Sequence, residues 1–211
     1  MQYVASGDSA DAALKALEAG EYLARIDPNV EPTMYRCATV SAAELAQLRR
    51  VKDIVRMGRV QRVTREGLTL DCGALNRGPD TLYIDCTADG LASRPAVPVF
   101  ADSSITLQTV RGCQQVFSAA LIARVETLAD ASQEQKNQLT GVIPHPDTPR
   151  DFFSNALSHV TNVMQWNQND TIRQWLDDSR LSPGTMKDAA GADPAMVMRA
   201  VQNLNRFTQS E

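Results

Sequence analysis

The 211-residue chain is predicted to be an α/β fragment, with short strands between about residues 54 and 107 followed by a mainly helical C-terminal region. Three observations predict this. β-Branched residues crowd positions 54–64 and 68–72 around a Glu66-Gly67 pair, the pattern of a tight hairpin. Ser41 with Glu44, and Ser132 with Gln135, form capping boxes that open helices. Past residue 111, apolar residues recur at helical spacing.

The elements follow in order. Asp8 or Ser9 caps a first helix carrying Ala12, Ala13, Leu14, Ala16 and Leu17, which stops at Gly20. Residues 26–32 are a proline-punctuated extended linker, and the Ser41 helix runs to about Arg50. After the hairpin, Asn76 to Pro79 is expected as a loop, and Leu82-Tyr83-Ile84-Asp85-Cys86 as a short buried strand. Val97 to Phe100 and Ile105 to Leu107 are further strand candidates, joined by Asp102-Ser103-Ser104. A helix from Gly112 to Leu128 lacks charge from Gly112 to Ala123, so it is expected to be buried on most sides. Pro149 suits the first position of a helix capped by Thr148 and striped by Phe153, Leu157, Val160 and Met164. Ile172, Trp175 and Leu176 mark a shorter helix ending near Asp177-Asp178. Asp193-Pro194 opens the last one, striped by Val197, Val201, Leu204 and Phe207.

Composition excludes several classes. The chain is 43% apolar and 22% charged, and its length allows roughly 70% of the unfolded surface to be buried without staples. Eleven glycines and ten prolines are near average usage, so collagen-like and low-complexity readings fail. No apolar run approaches a membrane span and no signal peptide opens the chain, so a cytoplasmic protein away from membranes is expected. The net charge of −4 argues against nucleic acid as a partner. Against that balance, Arg49, Arg50, Lys52, Arg56, Arg59, Arg62 and Arg65 crowd one stretch without aromatic residues. The readings open for this stripe are a solvated strand edge or helix end, an anionic-ligand site, and a nucleic-acid contact.

Chemistry-bearing constellations are sparse. Cys37, Cys72, Cys86 and Cys113 include no C-x-x-C pair and read as buried thiols. Cys113, near a helix start where the dipole lowers a thiol pKa, is the one worth flagging. His145 and His159 have no carboxylate pattern around them, so no metal site is expected. Asp177 and Asp178, adjacent on a helix, point apart and cannot share a substrate. Cys86-Thr87-Ala88-Asp89-Gly90, leaving an expected buried strand, is the best-placed polar loop, because ligands gather at strand C-termini; the bland reading is a turn. Neither G-x-G-x-x-G nor a Walker loop occurs.

Three stretches carry a family resemblance. They contain Ile26-Asp27-Pro28, then Tyr83-Ile84-Asp85-Cys86-Thr87-Ala88-Asp89-Gly90, then Thr109-Val110-Arg111-Gly112-Cys113-Gln114-Gln115-Val116-Phe117. Together they resemble the C-terminal half of a bacterial family of FAD/NAD(P)-binding oxidoreductases. The resemblance implies that residues 1–130 are the α/β part of a dinucleotide-binding-like domain and that 131–211 are a helical C-terminal region. It implies that the N-terminal glycine-rich FAD part is missing and that the chain is inactive alone. Thr87, Asp89 and Gly90 would line FAD, while Arg111, Gly112 and Gln114 would approach an anionic part of the flavin. The second reading is a non-catalytic interaction or structural domain, partnered by its own copy in a homodimer or by the missing N-terminal half.

Overall fold

The computed structural model describes residues 1–35, 40–87, 94–181 and 193–209. In chain order these form α1 (Gln2–Ala5), α2 (Ala10–Ala19), α3 (Ala42–Leu48), β1 (Val60–Val63), β2 (Gly67–Leu70) and β3 (Gly73–Asn76). Then come β4 (Phe100–Ala101), β5 (Ser104–Ile105), α4 (Gln115–Glu126), α5 (Gln133–Leu139), α6 (Asp151–Gln168), α7 (Asp170–Asp178) and α8 (Pro194–Gln209). The short strands precede a mostly helical C-terminal region, as the sequence predicts. Two compact units divide the chain: Met1–Val40 with Ser93–Glu211, and Ser41–Ala92.

In the larger unit, local capping sets the helix starts. The Ser9 side chain accepts from the Ala12 amide, and Ser132 and Gln135 close a reciprocal box on α5. α6 starts differently from the expected Thr148 cap. It begins at Asp151, whose carboxylate reaches back to accept from the Asp147 and Thr148 amides at 2.9 and 2.7 Å.

Two clusters form the core of this unit, and α6 serves both. Phe153, Leu157 and Val160 pack with Val4, Ala13, Leu17, Leu204 and Phe207 of α1, α2 and α8. Trp166 packs instead with Phe117, Leu121, Val125, Leu139 and Ile172 of α4, α5 and α7. At about 100° per residue, positions 153, 157 and 160 share one face and positions 155, 162 and 166 the opposite one. The second face consists of the buried Asn155, Asn162 and Trp166, which no apolar stripe announces, while the predicted stripe residue Met164 is 50% exposed. The second cluster runs across residue 130, with α4 on one side and α5 to α7 on the other.

Side-chain amides tie loops into this packing. Asn137 accepts from the Phe100 amide at 2.8 Å and donates to the Phe100 carbonyl at 2.9 Å, substituting for a third strand beside the β4–β5 pair. Asn162 Nδ2 donates to the carbonyls of Val110 and Gly141 at 2.8 and 2.6 Å.

The smaller unit holds the other capping box, Ser41 with Glu44 on α3, and an antiparallel sheet of order β1-β2-β3. The first hairpin turns at Arg65-Glu66, one residue earlier than expected, with the Thr64 amide donating to the Gly67 carbonyl. Gly67 adopts φ +157, and a Cβ there would collide with the Leu75 carbonyl oxygen, so a side chain is excluded. The expected loop beginning at Asn76 is in fact the end of β3, which pairs along all of β2. A two-residue turn, Asp71-Cys72, permits it.

Candidate functional site

The residues nominated from the sequence fall into both units. Thr87 lies in the smaller one, where its amide and hydroxyl both donate to Asp85 Oδ1. This local turn, through the Thr87 hydroxyl first and its amide second, holds the Asp85 carboxyl below its usual range. The buried strand expected to lead into it does not form. Residues 81–87 are not strand, and Leu82 and Ile84 are 82% and 75% exposed. Asp89 and Gly90 lie outside the described residues.

Arg111, Gly112 and Gln114 lie in the larger unit, ahead of α4. Gly112 takes a left-handed φ of +46, and Gln114 is the helix N-cap without a side-chain capping bond. Arg111 is half-buried with its guanidinium 4.7 Å from the Phe117 ring centroid, and burial lowers its pKa. Cys113 is disulfide-bonded, so it is not the activated thiol that its position suggested. Cys72 and Cys86 are free but exposed, contrary to the expected buried thiols.

His159, set aside as a metal ligand on its sequence surroundings, is enclosed in the structure. It is half-buried, edge-on to Trp166 at 6.4 Å, and its Nδ1 is enclosed without a hydrogen-bond partner. Burial lowers its pKa, and the Arg111 charge lowers it further. A histidine depressed in the folded state is neutral there while the unfolded chain still takes the proton. Its stabilising contribution is therefore full above the ordinary value of 6.5 and is lost as pH falls through the folded value. The urea midpoint of the wild type should drop between pH 7 and 5, and His159→Phe should flatten that drop. Equal slopes in the two proteins would contradict this. The carboxylates held low, Glu44, Asp71, Asp85 and Asp151, respond nearer pH 4 and leave the window clear. The signal for this site was the helical position of His159, one turn before the face that carries Asn162 and Trp166.

The smaller unit offers a surface instead of a pocket. In the sheet, Val60 pairs with Leu70 and Val63 with Leu68, and a register shift lies between Val60 and Arg62. Three-residue spacing would ordinarily put the two valines on opposite faces; the extra residue of the bulge puts both on the face of Leu68 and Leu70. Leu75, paired with Leu68, joins them. Arg62 and Thr69 share the other face. The sheet is thus apolar on one side and carries arginine on the other. Asp71 anchors its start by accepting from the Arg59 amide at 2.6 Å and from the Gln61 side chain, and these two bonds depress its pKa in that order.

The apolar face is poorly covered. Val60 and Val63 are 53% and 52% exposed, and Leu70 is the one buried large apolar side chain among the described residues of this unit. The seven basic residues of the 49–65 stripe are all exposed. Among the described residues no cluster of three or more metal-ligating side chains occurs, and no helix is long and apolar enough to cross a membrane.

Comparisons with known proteins add relatives but no activity. An uncharacterized protein of Mycobacterium tuberculosis and one of Mycobacterium bovis are each 48% identical to this chain over 182 residues. The match covers 86% of this chain and 34% of theirs, so the chain spans about a third of the length of the curated relatives it matches. No known family model matches the chain, and no solved structure does.

Proposed function

We propose that the chain is a non-catalytic interaction module that presents the sheet of residues 60–76 to another protein surface. The observation that carries this reading is the partly covered apolar face of the sheet, on which Val60 and Val63 are exposed and Leu68 and Leu75 half-buried, in a unit whose described residues bury one large apolar side chain. A three-stranded sheet needs its apolar face packed to be stable, and an exposed apolar patch of this kind marks an interaction surface. In the mycobacterial relatives the matched stretch is a third of the polypeptide, so further protein surface exists in the same chain to cover such a face.

The flavin reading finds less support. All described strands pair antiparallel, in sheets of three and two. Ligand sites of the dinucleotide-binding type lie at the C-termini of parallel strands. Thr87 follows an exposed non-strand segment, and Arg111 lies in the other unit.

The test uses the purified full chain. Incubation with FAD followed by gel filtration should leave it colourless. The wild type should bind the apolar-surface dye ANS, and Val60→Glu/Val63→Glu, which charges the apolar face, should lower that binding at least fivefold. Retained flavin absorbance would overturn the reading, and so would dye binding that the double substitution leaves unchanged.

A further inference from the structure

We propose that the free edge of β3 pairs with β3 of a second copy of this chain, antiparallel, across a twofold axis at Leu75. The inference rests on the interaction reading above and names the partner and the register.

The hydrogen-bond alternation dictates the register. The Arg77 amide donates to the Glu66 carbonyl, so residues 66 and 77 are a hydrogen-bonded pair. Counting along the β2–β3 register, Leu68 with Leu75 and Leu70 with Gly73 bond inward too, while Gly67 with Asn76 and Thr69 with Ala74 do not. The backbone N–H and C=O of Ala74 and Asn76 therefore point outward, at the edge of the sheet. Both residues are exposed. A second β3 satisfies those groups when Ala74 pairs with the Asn76 of the other copy and the reverse, each pair exchanging two bonds. The axis then falls on Leu75, where the two copies face each other as a non-hydrogen-bonded pair with their side chains close. Such an axis, perpendicular to the sheet, keeps like faces together, so Leu75 meets its counterpart on the apolar side.

Charge selects this edge over the other. β1 is flanked by Arg59 and Arg65, contains Arg62 and is bulged, the devices that keep an edge from pairing. Twofold pairing of β1 would set like charges against each other. β3, Gly73-Ala74-Leu75-Asn76, has no charge, no proline and no bulge. Its self-pairing brings no like charges together, and the next residue, Arg77, falls opposite a glycine and is already paired with Asp53 at 2.8 Å.

The experiment takes the full chain with Cys72→Ser/Cys86→Ser and adds Leu75→Cys. Mild oxidation should yield a disulfide-linked dimer on a non-reducing gel, reversed by reductant. Ala74→Cys, whose side chain faces the other side of the sheet, should cross-link at least fivefold less. Wild-type Cys72 should not cross-link, because this register sets its two copies roughly 20 Å apart. By light scattering the wild type should show twice the 23.0 kDa chain mass. Ala74→Arg and Asn76→Pro, which alter the outer edge and leave the inward β2 bonds alone, should return it to one chain with an unchanged circular dichroism spectrum. A monomeric wild type overturns the proposal, and so does a dimer that survives both edge substitutions without the Leu75→Cys cross-link. In that last case, loss of dye binding in Val60→Glu/Val63→Glu would uphold the interaction reading while the β3 pairing falls.

Discussion

Trp166→Ala should lower the unfolding free energy by about 3–5 kcal/mol, the largest loss expected from a single substitution in this chain. Trp166 is 2% exposed and lies among α4, α5 and α7 with its ring 5.8 Å from that of Phe117. Its indole N–H donates to the Leu139 carbonyl at 2.8 Å, at the C-terminal end of α5, where helix carbonyls lack intrahelical partners. Truncation opens a cavity and strands that acceptor as well. Trp166→Phe separates the two effects. It keeps most of the ring volume, removes the donor and should cost about 1–3 kcal/mol. Urea unfolding followed by circular dichroism measures both. A loss under about 1 kcal/mol for the alanine variant would mean that α6 does not join the second cluster through this side chain.

Asn162→Leu should destabilise by about 3 kcal/mol although it keeps the branched shape and replaces a polar group with an apolar one in a core. Asn162 is 3% exposed, and its Nδ2 serves the carbonyls of both Val110 and Gly141. Leucine leaves one buried and one partly buried acceptor without this donor, each costing about 1–3 kcal/mol, against an apolar gain of about 1–2 kcal/mol. Gly141 shows how close the approach is, since a Cβ there would collide with Asn162 Oδ1. A melting temperature lowered by about 6–12 °C is the corresponding thermal reading for a chain of this size. An unchanged or raised melting temperature would show that the amide holds nothing.

Much of the smaller unit was legible in advance. Its α3 capping box and first hairpin are patterns that close within a few residues, and both form. β3 was missed because Gly73-Ala74-Leu75-Asn76 has neither β-branching nor alternation; it is strand because β2 supplies its hydrogen bonds. The opposite error befell residues 82–86. They have the composition of a buried strand, but no neighbour among the described residues pairs with them, and Leu82 and Ile84 stay in solvent.

The candidate sites divide the same way. The basic stripe was visible as composition, and each of its residues is exposed. That the adjoining sheet has an apolar face was not visible, because Val60 and Val63 share it through a bulge that exists only in the pairing with β2. For His159 the one sign was its helical position beside Asn162 and Trp166; its enclosure was not visible, since Arg111 and Trp166 meet it from 48 residues before and 7 residues after in the chain.

By itself, then, the amino-acid order determined where helices begin and where the first hairpin turns, because serine caps, prolines and glycines act on backbone groups a few positions away. Which faces are buried was decided by the tertiary structure. α6 shows why: its stripe of Phe153, Leu157 and Val160 forecast one packed face, yet Asn155, Asn162 and Trp166 are buried on the other. Burial of a polar face needs donors and acceptors from distant segments, here the carbonyls of Val110, Leu139 and Gly141, and those come into range when α4, α5 and α6 pack together.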